Sequence, residues 1–125
     1  DVYCEVDFVS FMRSTAKMAA NGAHLLMVAN PAHHAGGDFS LAAGRVVFAQ
    51  GEETLTYAGI GLLSSSFCAS VPVGAVMKLR PLLDAAMAAG TLSGERFAGR
   101  WVDVGTPQRL AELDSELRDQ ELKTP

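Results

Sequence analysis

The sequence predicts an α/β fold in which a mixed sheet is flanked by helices. Three observations support this. Segments with three- and four-residue apolar spacing alternate with short, nearly unbroken apolar runs. Glycine and proline punctuate the junctions between them. Hydrophobic residues make up 49% of the 125, enough for a core, and a chain of this length forms one compact domain or part of a larger one.

Each element has a local reason. From Asp7 to Asn21 the positions Phe8, Phe11, Met12, Thr15, Met18 and Ala19 share one helical face, with Arg13 and Lys17 opposite and Asn21-Gly22 as the stop. Ala23–Ala29 is a short apolar run suited to an internal strand. Residues 30–37, rich in proline, histidine and glycine, form a loop. Asp38–Leu41 and Arg45–Ala49 read as a hairpin around Ala-Ala-Gly, followed by a solvated turn at Gly51-Glu52-Glu53. Leu55–Leu63 returns to strand character, with Gly59 and Gly61 as points of close backbone approach. Leu79, Leu82, Leu83 and Ala86 space out a second helix, with Pro81 in its first turn and Gly90 at its end. An extended piece, Phe97–Val102, leads to a third helix. Thr106 caps it, Pro107 is its first residue, and Leu110, Leu113 and Leu117 form its buried face. Asp114 and Arg118 form a surface pair, and Lys123-Thr124-Pro125 frays.

Composition excludes several function classes. A net charge of -4 argues against binding nucleic acid by phosphate neutralisation. No apolar run approaches the ~20 residues of a membrane span, so no membrane partner is expected. Cys4 and Cys68 are too few for a disulfide scaffold or zinc ribbon and are expected as free thiols in a cytoplasmic protein. His33-His34 is a poor zinc site, because adjacent side chains seldom converge on one ion, and His24 reads as a partnered core histidine. Ser64-Ser65-Ser66 lacks the Gly-x-Ser-x-Gly frame of a nucleophile elbow.

Two carboxylates stand out. Asp103 lies between the apolar Trp101-Val102 and a capped helix, and Asp1 precedes the loop into the first helix. Two converging carboxylates suit a magnesium ion whose other ligands are water and phosphate, but isolated aspartates at loop edges are common, and spacing alone favours that ordinary reading.

The motifs add up to a pattern. Trp101-Val102-Asp103-Val104-Gly105-Thr106-Pro107, followed by Arg109-Leu110, resembles the closing motif of the sugar nucleotidyltransferases, the nucleoside-diphosphate-sugar pyrophosphorylases. Asn30-Pro31-Ala32-His33-His34 with Gly37-Asp38-Phe39 is similar to the N-acetylmuramate alpha-1-phosphate uridylyltransferase branch. Thr56–Ile60, Lys78–Leu83, Ser93-Gly94-Glu95 and Gly99-Arg100-Trp101 agree with it in order and separation.

This resemblance implies that residues 1–125 form the C-terminal portion of a Rossmann-like nucleotidyltransferase fold, without the N-terminal glycine-rich loop that holds nucleotide phosphates. It implies that Asp1 and Asp103 bind Mg2+, that Lys78 meets the sugar phosphate, and that Asn30, Gly37, Asp38 and Gly59 line the sugar subsite. The implied partners are a sugar 1-phosphate, N-acetylmuramate alpha-1-phosphate, and a nucleoside triphosphate, UTP. The enzyme would be a monomer when complete, acting in peptidoglycan recycling, with the isolated chain inactive. Mannose-1-phosphate guanylyl transfer is the alternative within the fold, and a truncated, non-catalytic sugar-phosphate-binding module is the alternative outside catalysis.

Overall fold

A computed structural model describes residues 1–51 and 53–124. Glu52 of the expected turn and Pro125 of the expected frayed end lie outside the described residues. The chain divides into two compact units, Asp1–Val6 with Gly99–Pro125, and Asp7–Ala98.

The larger unit is built on a five-stranded mixed sheet of order β3-β4-β6-β2-β5. The strands are β2 (Ala23–Val28), β3 (Phe39–Ala42), β4 (Arg45–Phe48), β5 (Thr56–Leu63) and β6 (Leu92–Arg96). The internal strand β2 is buried along its whole length, as its apolar run predicts, running parallel to β6 and antiparallel to β5. Ala23, Leu25 and Met27 from β2 join Phe39, Val46, Phe67, Leu83, Ala86, Met87 and Leu92 in one core. α2 (Arg80–Ala89) supplies Leu83, Ala86 and Met87 at helical spacing, with Pro81 in its first turn and Gly90 closing it at φ 71°. The β3–β4 hairpin closes through Ala43 and Gly44, both at positive φ, the geometry that matches strand twist.

Two expectations for this unit need correction. The predicted helix over Asp7–Asn21 is a five-residue α-helix, α1 (Phe8–Met12), that tightens into a 3-10 turn at Arg13–Lys17. Asp7 caps α1 through Val9 N (3.0 Å) and Ser10 N (3.3 Å). Beyond it the Thr15 hydroxyl donates back to the Met12 carbonyl (3.0 Å), a local bond that competes with continued α-helix. Only Phe11 and Ser14 of this segment are buried, while Phe8, Val9 and Met12 are exposed. Gly22 is not the helix stop. Asn21 takes the left-handed conformation (φ 61°), and a β-carbon on Gly22 would lie 2.3 Å from the Thr91 carbonyl oxygen. The second correction concerns Phe97–Val102. Strand structure falls on either side of its first half, as β6 before it and β7 (Trp101–Asp103) at its end.

β6 escapes an apolar pattern because its polar residues are satisfied internally. His24, 1% exposed, places Nδ1 2.7 Å from Ser93 Oγ and Nε2 2.9 Å from Glu95 Oε1. Ser14 donates to the same Glu95 oxygen (2.7 Å), and the Phe11 ring lies 5.7 Å from the imidazole. Burial by itself raises the Glu95 carboxyl, but the hydrogen bonds from Ser14 and His24 and the charges of His24 and Lys17 outweigh it, so its pKa is lowered. His24 is thus the partnered core histidine that its apolar setting predicts.

The smaller unit pairs β1 (Val2–Cys4) antiparallel with β7 and carries α3 (Pro107–Lys123). Thr106 caps α3 by accepting from Arg109 N (3.2 Å), and Pro107 opens it. Leu113 is buried and Leu117 half-buried, but Leu110, expected on the buried face, is 54% exposed. Asp114 and Arg118 pair at 3.1 Å, as predicted. Cys4 and Cys68 are free thiols. Among the described residues no helix is long and apolar enough to cross a membrane.

Candidate functional site

The loop after β2 is organised by one side chain. Asn30 donates through Nδ2 to the Ala35 carbonyl (3.2 Å) and to Thr54 Oγ1 (2.9 Å), and its Oδ1 accepts from Thr56 Oγ1 (2.8 Å). Thr54 in turn donates to the Gly36 carbonyl (3.0 Å). Residues 30–36 are thereby stitched to the start of β5. Both Asn30 amide hydrogens are committed, so Oδ1 is the part of this side chain with capacity for a ligand. Gly37 has φ 65°, and a β-carbon there would lie 2.6 Å from Asn30 Oδ1 and 2.7 Å from Thr54 Oγ1, so only glycine fits.

Asp38 follows with its carboxylate held from two sides. Oδ2 accepts from the Tyr57 backbone N–H (2.9 Å) and Oδ1 pairs with His34 Nε2 (3.0 Å). His34 of the double-histidine pair is therefore an orienting partner for Asp38. Asn30 and Thr54 also border a cavity of about 380 Å3 whose polar rim includes Glu53 and Arg96.

Gly59 sits in the middle of β5 with φ 81°, where the ladder to β2 slips: Leu25 faces Gly61, but Met27 faces Tyr57. The bulge pushes Ala58–Ile60 out of register, and Gly59 supplies the conformation it needs. Gly61 is a true close approach, since a β-carbon there would meet Leu25 Cδ2 at 3.1 Å. Lys78 is exposed, just before α2. Two residues on, the Arg80 guanidinium lies 4.6 Å from the Phe39 ring centroid, which ties the start of α2 to the residue after Asp38.

In the smaller unit, Asp1 and Asp103 lie at the same end of the β1–β7 ladder. Val2 faces Asp103, and Val104 N donates to the Asp1 carbonyl (3.0 Å). The offset is one residue. A regular pleat would send the two side chains to alternate faces, but Asp1 lies outside the strand, where it is exposed and not held to that alternation. Asp103 Oδ1 accepts from Gly105 N (2.8 Å) and contacts Arg109 Nη2 (3.4 Å). Two hard carboxylate donors at one ladder end suit the chemistry of Mg2+, which takes one or two carboxylates and fills its shell with water and phosphate. Among the described residues no group of three or more histidine, cysteine, aspartate or glutamate side chains could hold a metal.

Asn30, Gly37 and Asp38 thus belong to one hydrogen-bonded loop, and Asp1 and Asp103 to one ladder end. Sequence reading missed Thr54 and Thr56, whose i, i+2 spacing at a strand start was the available signal. It also gave Gly105 and Arg109 no individual role.

No protein-family model matches the sequence. Over 118 residues it is 35% identical to the N-acetylmuramate alpha-1-phosphate uridylyltransferase of Neisseria meningitidis serogroup B (strain ATCC BAA-335 / MC58), covering 92% of this chain. Over that stretch the chain is similar to a sugar nucleotidyltransferase. It spans about half (51%) of the length of that curated enzyme. In fold the chain is similar to a Bacillus anthracis protein assigned as a glucose-1-phosphate thymidylyltransferase, solved in complex with a sucrose, which superposes with a TM-score of 0.74. That match covers 95% of this chain and 52% of the other at 16% identity.

Proposed function

We propose that the complete protein transfers a nucleotidyl group from UTP to a sugar 1-phosphate, N-acetylmuramate alpha-1-phosphate, releasing pyrophosphate, and serves peptidoglycan recycling as a cytoplasmic monomer. The observation that carries this reading is the 35% identity to the uridylyltransferase across 92% of the chain.

The reaction is an in-line displacement. A phosphate oxygen of the sugar 1-phosphate bonds to the alpha phosphorus of the triphosphate, and the bond from that phosphorus to the bridging oxygen of pyrophosphate breaks. Such transfer requires two anions to be held together and their charge neutralised. In this reading Asp1 and Asp103 hold Mg2+, which when bound supplies that neutralisation. Lys78 meets the sugar phosphate as a point charge. Asn30 Oδ1, the Gly37 backbone and the Asp38 region bind the sugar, and Gly59 leaves room for its ring.

Pyrophosphate release by the full-length protein tests this, with UTP or GTP paired against N-acetylmuramate alpha-1-phosphate or mannose 1-phosphate. Turnover with UTP and the muramyl substrate is expected. A preference for GTP and mannose 1-phosphate would instead make it a guanylyltransferase. Binding of sugar phosphate without turnover in any pairing would make it a non-catalytic module.

A further inference from the structure

Arg109 is placed against several local preferences. It is the third residue of α3, where the helix dipole disfavours a cation, and the first turn holds no acidic residue to offset it. Its Nε is buried with no hydrogen-bond partner among the described residues. Its link to Asp103 is a long contact, Nη2 to Oδ1 at 3.4 Å, while Gly105 N holds the same oxygen at 2.8 Å. The guanidinium is therefore kept beside the carboxylate by charge more than by hydrogen bonding. Both side chains are about one-third exposed (31% and 30%), so water can reach the pair. A locally disfavoured group at a candidate site is what a functional requirement leaves behind.

We infer that Arg109 competes with a divalent cation for the Asp103 carboxylate and thereby sets the affinity of that site. This deepens the reading of Asp103 as a metal ligand and rests on it. Arg109 acts through Asp103, so it is a positioning residue. Two positive charges on one carboxylate oppose each other, so loading the site moves the guanidinium away from Oδ1. Gly105 N–H keeps the carboxylate in place throughout.

The test uses Mn2+ as the probe on the full-length protein, read by paramagnetic broadening of the Asp103 and Gly105 amide signals. R109Q, which removes the charge and keeps a polar stem, is expected to bind Mn2+ about threefold more tightly than wild type, the scale of a partly exposed ion pair. R109K is expected to stay near wild type, and D103N to lose binding. Affinity in R109Q equal to or weaker than wild type, with Mn2+ binding still dependent on Asp103, overturns the competition and leaves the metal reading standing. No Asp103-dependent broadening in any chain overturns both. Should R109Q fail to fold, wild type alone decides. On titration with diamagnetic Mg2+, the Arg109 Nε–H signal must shift in step with the Gly105 amide, and a static Nε–H signal overturns the inference.

Discussion

Gly105 donates its backbone N–H to Asp103 Oδ1 at 2.8 Å, and a β-carbon on Gly105 would sit 2.9 Å from that same oxygen. The glycine therefore holds the carboxylate while leaving it the space it occupies. The Gly105→Ala variant should keep the fold but push Asp103 aside. In the full-length protein, turnover should drop by up to about a hundredfold, the effect of an ångström-scale misplacement. Near-wild-type turnover with an unchanged melting curve would show that the Asp103 position does not matter to the chemistry.

Asn30 makes three side-chain hydrogen bonds within its loop, to Ala35, Thr54 and Thr56. Asn30→Ala should lower stability to urea by about 2–4 kcal/mol, from three net contributions of about 1 kcal/mol each. In the full-length protein it should also raise KM for the sugar phosphate more than for the nucleotide. Thr56→Val removes one bond and should cost about 1 kcal/mol, and a larger loss than Asn30→Ala would contradict the placement of Asn30 at the centre of the network.

Glu95 has a lowered pKa in the folded chain, so folding favours its charged form. The stabilisation is fully present above the ordinary glutamate value of 4.5 and is lost as the pH falls through the lower folded value. Acid unfolding followed by circular dichroism should therefore show a Glu95-dependent loss of stability below about 4.5, which Glu95→Gln flattens. Identical acid limbs in the two chains would remove Glu95 from the account.

Gly59 has φ 81°, so any side chain there carries backbone strain. Gly59→Ala should cost about 1–2 kcal/mol in stability from that strain alone. Gly59→Leu should add a rise in KM for the sugar phosphate that exceeds any rise for the nucleotide. If alanine and leucine affect both substrates alike, Gly59 shapes the strand and not the sugar subsite.

Much of the fold was legible because periodicity and punctuation agreed. The buried run of β2, the β3–β4 hairpin and the proline-opened, glycine-closed α2 all follow from local chemistry, although the expected Ala-Ala-Gly turn tightens to Ala43-Gly44 because Ala42 pairs with Arg45. Where a polar residue was satisfied by a distant partner, the pattern misled. Ser93 and Glu95 broke the apolar rhythm of β6 because their partner, His24, lies about seventy residues away. The first helix shortened because Thr15 bonds its own turn, an effect that apolar spacing does not register. In the candidate site, Asn30, Gly37 and Asp38 were legible only through the resemblance of their loop to a known motif, since composition alone marked the segment as a loop. Thr54, Thr56 and Arg109 were not singled out, because threonine in a strand and arginine on a helix are unremarkable until their partners are located.

The imidazole of His24 has one further effect, on strand alignment. Apolar side chains alone let neighbouring parallel strands slide, because one aliphatic group substitutes for another at modest loss. Here His24 lies directly across from Ser93, with Glu95 two positions on. Sliding by a single residue would set a sealed-off ring nitrogen against Leu92 or Gly94, neither of which has a side chain that can answer it. The imidazole thus works as an indexing pin, penalising misaligned assemblies more than it strengthens the correct one.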